Sequence, residues 1–122
     1  MAELKNFDWG YSTIESPSGD EFISGKRIYT KGTNTINPYV TIPLHVHDSD
    51  GEVYIPRTTG IHVLVIKAED VPLYSSIKVM DEIAKLPAVP VGERVECPPG
   101  YAHALYNSFP LPGKVEFQKY RP

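Results

Sequence analysis

Twelve prolines and nine glycines interrupt a chain of 122 residues, so no long regular element has room to form. Proline removes a backbone donor and fixes φ, and glycine accepts the positive φ of tight turns. Breaks at this frequency argue against a helical bundle and for many short strands. The runs between them agree. Phe22-Ile23, Arg27 to Thr30, Tyr39 to Val46, Val53 to Ile55, Ile61 to Ile66, Arg94 to Cys97, Ala102 to Tyr106 and Val115 to Tyr120 are rich in β-branched and aromatic residues. Arg57-Thr58-Thr59-Gly60 reads as the turn between two of these strands, and Ser16-Pro17-Ser18-Gly19-Asp20 as a polar loop. One segment departs from the pattern. A serine cap at Ser75-Ser76, apolar Ile77, Met80, Ile83 and Ala84 at three- and four-residue spacing, and Pro87 as a stop predict a short amphipathic helix over 75–86.

The length suits one domain over 1–122, because two would each lack a core. Twelve Lys and Arg against fifteen Asp and Glu give a net charge of −3, and no basic run exceeds Lys26-Arg27, so no nucleic-acid partner is expected. No stretch approaches the ~18 apolar residues of a membrane span. The start Met1 to Asn6 lacks the apolar run of a signal peptide. Cys97 is the single cysteine, which fits a reducing compartment, and a cytoplasmic protein is the resulting expectation. Cys97 itself reads as a small buried hydrophobe rather than a nucleophile.

In a strand, alternate residues face opposite sides. From Tyr39 to His47 this places Tyr39, Thr41, Pro43, His45 and His47 on one side and the aliphatic Val40, Ile42, Leu44 and Val46 on the other. Ile61 to Ile66 is apolar on both sides apart from His62, which is expected at the surface. Faces so uniformly covered predict a closed barrel or sandwich that self-associates, most simply as a homodimer, with Ile42 on the contact face.

The same alternation sends the imidazoles of His45 and His47 into one space. Asp48-Ser49-Asp50-Gly51 is turn chemistry that folds the next strand back, so Glu52 at its start can reach the same point. Imidazole and carboxylate donors suit zinc, iron, manganese, cobalt or nickel. Tyr54, two residues beyond Glu52, points the same way. Its phenol is either an acid, base or hydrogen-bond donor for a substrate, or a packed aromatic with its hydroxyl satisfied. Arg57, in its turn, is expected to be solvated.

A second pattern lies downstream: Gly92, five residues, Pro98-Pro99-Gly100, two residues, His103, three residues, Asn107. A chance match to all these fixed positions is on the order of one in ten thousand for this composition. The pattern resembles the second motif of the cupin superfamily. The stretch with His45, His47, Glu52 and Gly60 resembles the first, with two departures: Tyr39 stands where the motif has glycine, and Gly60 lies one residue late. The two motifs cover 39–60 and 92–107. The resemblance implies an all-β, jelly-roll β-barrel with the short helix lying between the motifs. It also implies that His45, His47, Glu52 and His103 hold one divalent transition metal ion (Fe, Mn, Zn, Ni or Co), and that Asn107 is structural.

A metal so held leaves room for a small-molecule substrate and can polarise its carbonyl or hydroxyl oxygens. Glu52-Val53-Tyr54 and Pro98 to His103 are similar to stretches of cupin sugar-phosphate isomerases. The first expectation is therefore an isomerase, epimerase or lyase acting on a small hydroxylated or sugar-like substrate, with Tyr54 as a catalytic candidate, although no phosphate-binding cluster is evident. An iron-dependent dioxygenase and a non-catalytic ligand-binding protein are the alternatives, since fold does not dictate function.

Overall fold

A computed structural model describes residues 3–121 apart from Ser18, Ser24 and Asp48. The loop residue Ser18, the turn residue Asp48 and the first two residues of the N-terminal segment thus lie outside the described residues. The described residues form ten strands and one α-helix: β1 (Glu3–Phe7), β2 (Gly10–Glu15), β3 (Phe22–Ile23), β4 (Lys26–Ile36), β5 (Thr41–Val46), β6 (Gly51–Pro56), β7 (Ile61–Lys67), α1 (Ser76–Lys85), β8 (Val95–Cys97), β9 (Tyr101–Asn107) and β10 (Gly113–Tyr120). A 3-10 turn, Ala68–Leu73, leads into α1. No helix among the described residues is long and apolar enough to cross a membrane.

The strands make two antiparallel sheets. The larger runs β1-β2-β4-β10-β6-β8, with β3 paired to β4, and the smaller runs β5-β9-β7. The two faces enclose Ile36, Ile42, Tyr54, Leu105, Val115 and Phe117 as the main core. This is the expected all-β jelly roll, with one correction. Among the described residues no strand of the small sheet pairs with the large one, so the sheets face each other as an open sandwich and do not close into a barrel.

Expected strands recur with shifted ends, but β1 and β2 were not foreseen and β4 extends to Ile36. Their residues (Glu3 to Phe7, Gly10 to Glu15) are largely polar, and β1 is exposed along its whole length. Their order comes from pairing: β2 lies between β1 and β4, with Leu4 opposite Thr13 and Thr13 opposite Thr33.

Strict alternation along β5 also fails. The β5–β9 register shifts between Ile42 and His45, the mark of a β-bulge, and Pro43, which cannot donate to the ladder, sits inside it. One inserted residue reverses the faces. Ile42 consequently turns into the core, buried at 6% exposure beside Tyr54 and Phe117, and is no contact face for a second copy. Leu44 stays on the outer side, where it packs with Leu64, Ala104, Val79 and Ile83.

That outer cluster is covered by α1. The helix begins as expected, with Ser75 Oγ accepting from the Lys78 amide. Its buried stripe differs from the expected one: Val79 and Ile83 face the sheet, whereas Ile77 is 76% exposed and Met80 39%. The i, i+4 pair Val79/Ile83 fits the sheet because β7 and β9 present Leu64 and Ala104 there. His62 is a further correction. It is buried, with Nδ1 2.8 Å from the Leu86 carbonyl oxygen and Nε2 2.8 Å from Ser108 Oγ, and so ties the chain after α1 to the sheet.

Asn107 has the structural role expected. Its amide donates to the carbonyls of Ile36 at 3.1 Å and Leu111 at 2.9 Å, and its Oδ1 accepts from the Phe109 amide at 3.0 Å. The end of β4 and the β9–β10 loop meet on one side chain.

Candidate metal centre

His45 lies on β5 directly opposite His103 on β9. His47 follows one residue beyond the end of β5, and Glu52 comes from β6 in the facing sheet. The cluster therefore bridges the two sheets. The turn that returns the chain ends on Gly51, where a Cβ would lie 2.1 Å from the Tyr120 ring, so only glycine lets β6 start against that aromatic.

The four side chains converge. One ligand atom from each of His45, His47, Glu52 and His103 lies within 4.8 Å of all the others. Glu52 Oε1 is 3.1 Å from His103 Nε2 and 3.6 Å from His47 Nε2. The ring centroids of His45 and His103 are 4.2 Å apart. Donors sharing one ion at about 2.0–2.2 Å can be at most about 4.4 Å apart, so the cluster needs only a slight contraction to close on a metal.

Protonation favours the same conclusion. Burial pushes the pKa values of His45 and His47 down, the neighbouring imidazole of His103 adding to the effect, so both rings are neutral at neutral pH. His45 Nδ1 lies 2.7 Å from the Pro43 carbonyl oxygen. A carbonyl only accepts, so the proton sits on Nδ1 and the Nε2 lone pair is left for a ligand role. Burial alone would raise the Glu52 carboxyl, but contacts with His103, Lys119 and Tyr54 outweigh it and hold the pKa below its ordinary value.

His103 supplies the test of fit. It is 1% exposed, and neither ring nitrogen has a hydrogen-bond partner among the described residues. The 3.1 Å approach to Glu52 does not have hydrogen-bond geometry. An unpaired buried polar group is costly, and a cation at this point would satisfy it. Three imidazoles and one carboxylate match the donor preferences of zinc, iron, manganese, cobalt and nickel. The group could hold a metal ion.

Tyr54 is beside the cluster, its hydroxyl donating to Glu52 Oε1 at 2.6 Å. Burial, followed by the charge of Glu52, raises its pKa well above 10.0, so the phenol stays protonated at neutral pH. Cys97 is buried opposite Glu52 in the β6–β8 ladder, and burial pushes its thiol up to about 12, as suits an unreactive packing residue. Arg57 is half exposed and pairs with Glu116 at 2.7 Å.

A cavity of about 450 Å³ opens from the cluster toward β1 and β2. Its walls hold residues that the sequence did not single out: Lys5, Phe7, Trp9, Asn34 and Lys119. Phe7 and Trp9 stack on each other with centroids 4.7 Å apart and planes 8° from parallel. Their two-residue spacing was the available signal, but it carries meaning only once β1 is known to fold over the cavity.

No protein-family model matches the sequence, and no curated protein sequence does either. The fold has clear relatives among solved structures. The capsular polysaccharide assembling protein CapF from Staphylococcus aureus superposes with a TM-score of 0.64 at 15% identity, over 100% of this chain and 29% of its own. CapF has also been solved with the inhibitor 3-isopropenyl-tropolone, and this chain spans about a third of its length. A predicted oxalate decarboxylase from Thermotoga maritima matches with a TM-score of 0.63 at 12% identity, over 99% of this chain and 92% of that one. The Drosophila melanogaster CENP-C cupin domain matches at 0.62 and 9% identity, over 95% and 73%. CENP-C has in addition been solved bound to the protein CAL1. These likenesses establish the cupin fold and leave the activity open.

Proposed function

We propose that this cupin-fold protein is a metal-dependent enzyme that isomerises or cleaves a small hydroxylated substrate held through adjacent carbonyl or hydroxyl oxygens. The observation that supports it most is the convergence of His45, His47, Glu52 and His103 at the base of a cavity, with neither nitrogen of buried His103 in a hydrogen bond and Nε2 3.1 Å from the Glu52 carboxylate. A divalent ion held there would supply Lewis-acid polarisation of a substrate oxygen. The chain's residues do the rest. The Pro43 carbonyl fixes the His45 tautomer, and Tyr54 positions Glu52 through its hydroxyl. Tyr54 serves this reading as a donor, because its raised pKa removes it as a base at neutral pH.

The test is metal analysis of protein purified without chelators or a histidine tag, followed by incubation with hydroxylated compounds in deuterated water. The expected result is stoichiometric metal in the wild type, its loss in His45→Ala, and deuterium entering one class of compound. No more metal in the wild type than in His45→Ala would sink the reading. Oxygen consumption by the iron(II) form and not the zinc form would move the chemistry to a dioxygenase.

One observation favours a second reading, a ligand-binding protein without turnover. Glu52 is the sole acid lining the cavity among the described residues, and it already accepts from Tyr54. Saturable binding with no turnover under any metal is its signature. A homodimer remains part of the proposal, without Ile42 as its contact, and sedimentation of the wild type decides it.

A further inference from the structure

The composition of the cavity wall bears on what the ligand is. Its charged groups away from the His/Glu cluster are two ammonium groups, Lys5 on β1 and Lys119 on β10. Lys119 is the register partner of Glu52 across the β6–β10 ladder, and its Nζ lies 5.9 Å from the Phe117 ring centroid, a ring that also lines the cavity. Glu52 offsets only part of the positive charge once a divalent ion is counted. A neutral ligand would leave that excess uncompensated in a partly enclosed space, whereas an oxyanion would offset part of it.

The remaining wall is mostly apolar and partly aromatic: Phe7, Trp9, Ile14, Ile42 and Phe117. Two of its hydroxyls already donate within the wall, leaving Thr30 and the Asn34 amide as the other neutral polar groups. Ser12 Oγ donates to Asn34 Oδ1 at 2.6 Å, and the Tyr54 hydroxyl donates to Glu52. A polyol would have to desolvate several hydroxyls against a wall offering few partners, which costs binding free energy for each one left unpaired. A flat apolar body would instead lie along the Phe7–Trp9 pair, whose stacked rings line the cavity.

Resting on the reading of a small-molecule metal site given above, we infer that the ligand is a small oxyanion with a flat, largely apolar body and not a polyhydroxylated sugar. The oxyanion sits between Lys5, Lys119 and the His/Glu cluster, and the ring or conjugated segment against Phe7 and Trp9. The N-terminal hairpin β1–β2 is thereby the specificity-determining wall.

Trp9 is the only tryptophan in the chain, so intrinsic fluorescence reports directly on this wall. Zinc-loaded protein is titrated with mandelate and phenyl phosphate as oxyanions on a phenyl body, 1-phenylethane-1,2-diol as the neutral counterpart, and gluconate as the polyol acid. Saturable quenching by mandelate or phenyl phosphate, at least roughly tenfold tighter than by the diol or gluconate, is expected, and Lys119→Gln should weaken it about tenfold. Gluconate or the diol binding as tightly as both oxyanions, no quenching by either oxyanion, or unchanged affinity in Lys119→Gln overturns the inference. Zinc content is measured in the same samples. Wrong selectivity with zinc bound removes this inference alone, and failure to take up zinc removes the proposed function whatever Trp9 reports.

Discussion

At the scale of single residues, Tyr39 connects a departure in sequence with a strained backbone. It has φ of +61°, the only positive φ outside glycine among the described residues, in a turn closed by the Val40 amide donating to the Asn37 carbonyl at 3.3 Å. Pro38 precedes it, so the turn is type II, which favours glycine at this position. Pro98-Pro99-Gly100-Tyr101 is built alike, with Gly100 at φ +80° and Tyr101 N donating to Pro98 O at 3.2 Å. A left-handed non-glycine residue costs about 1–2 kcal/mol, and the flexibility of an unfolded glycine costs roughly 0.5–1 kcal/mol in return. Because Tyr39 is 60% exposed and loses little packing, Tyr39→Gly should raise stability by about 0.5–1 kcal/mol. A lowered melting temperature would show that the ring matters more than the strain. Tyr54 gives a second prediction. Removing the hydroxyl in Tyr54→Phe leaves Glu52 without its 2.6 Å donor, and metal affinity measured by competitive chelation should fall about 10–100-fold while the fold is retained.

Elements show why a repeating pattern reads some faces correctly and others not. His45 and His47 point together because they lie on the same side of the bulge, and period-two reasoning holds locally. The residues before it are reversed, since nothing in Tyr39 to Val46 announces an inserted residue except Pro43. For α1 the periodicity indicated a helix of about the right length, but two stripes were available. The sheet selected Val79 and Ile83 over Ile77 and Met80. Ile83→Ala should therefore destabilise by about 2–4 kcal/mol, while Ile77→Ala should stay within about 0.5 kcal/mol of wild type. Urea denaturation of both variants checks the pair, and equal losses would mean that the wrong stripe has been assigned.

Across the whole molecule, burial sets the response to alkaline pH. Burial raises the hydroxyls of Tyr29 and Tyr120 from 10.0 to about 12, helped by hydrogen bonds to Asp50 and Glu96 respectively, and the Cys97 thiol from 9.0 to about 12. Between the unfolded and folded values the native state holds more protons than the unfolded chain, so stability falls as pH rises. These groups contribute fully below about pH 9 and lose their contribution as pH approaches about 12. Urea midpoints should be level in mildly alkaline buffer and drop steeply above about pH 10, with a shallower drop in Tyr120→Phe. A metal held at the His/Glu cluster would act on the molecule as a whole too. An ion that binds only the folded cluster at 100 times its Kd adds about 2.7 kcal/mol, so a chelator should lower the melting temperature of wild type and leave His103→Ala unchanged.

The spacing of prolines and glycines was enough to indicate an all-β fold of short strands, because breaks act locally. His45, His47 and Glu52 were legible as one donor group since a strand and a tight turn are also local. His103 required its motif, and the fold then placed it across the β5–β9 ladder from His45. What the chain's local pattern could not contain is anything decided between distant segments. The exposed β1, the bulge at Pro43, the buried stripe of α1, the burial of His62 and the Lys5–Trp9 wall all exist because another element packs or pairs there. Local chemistry thus determined most of the elements and three of the donors, and tertiary packing decided which faces meet and what surrounds the site.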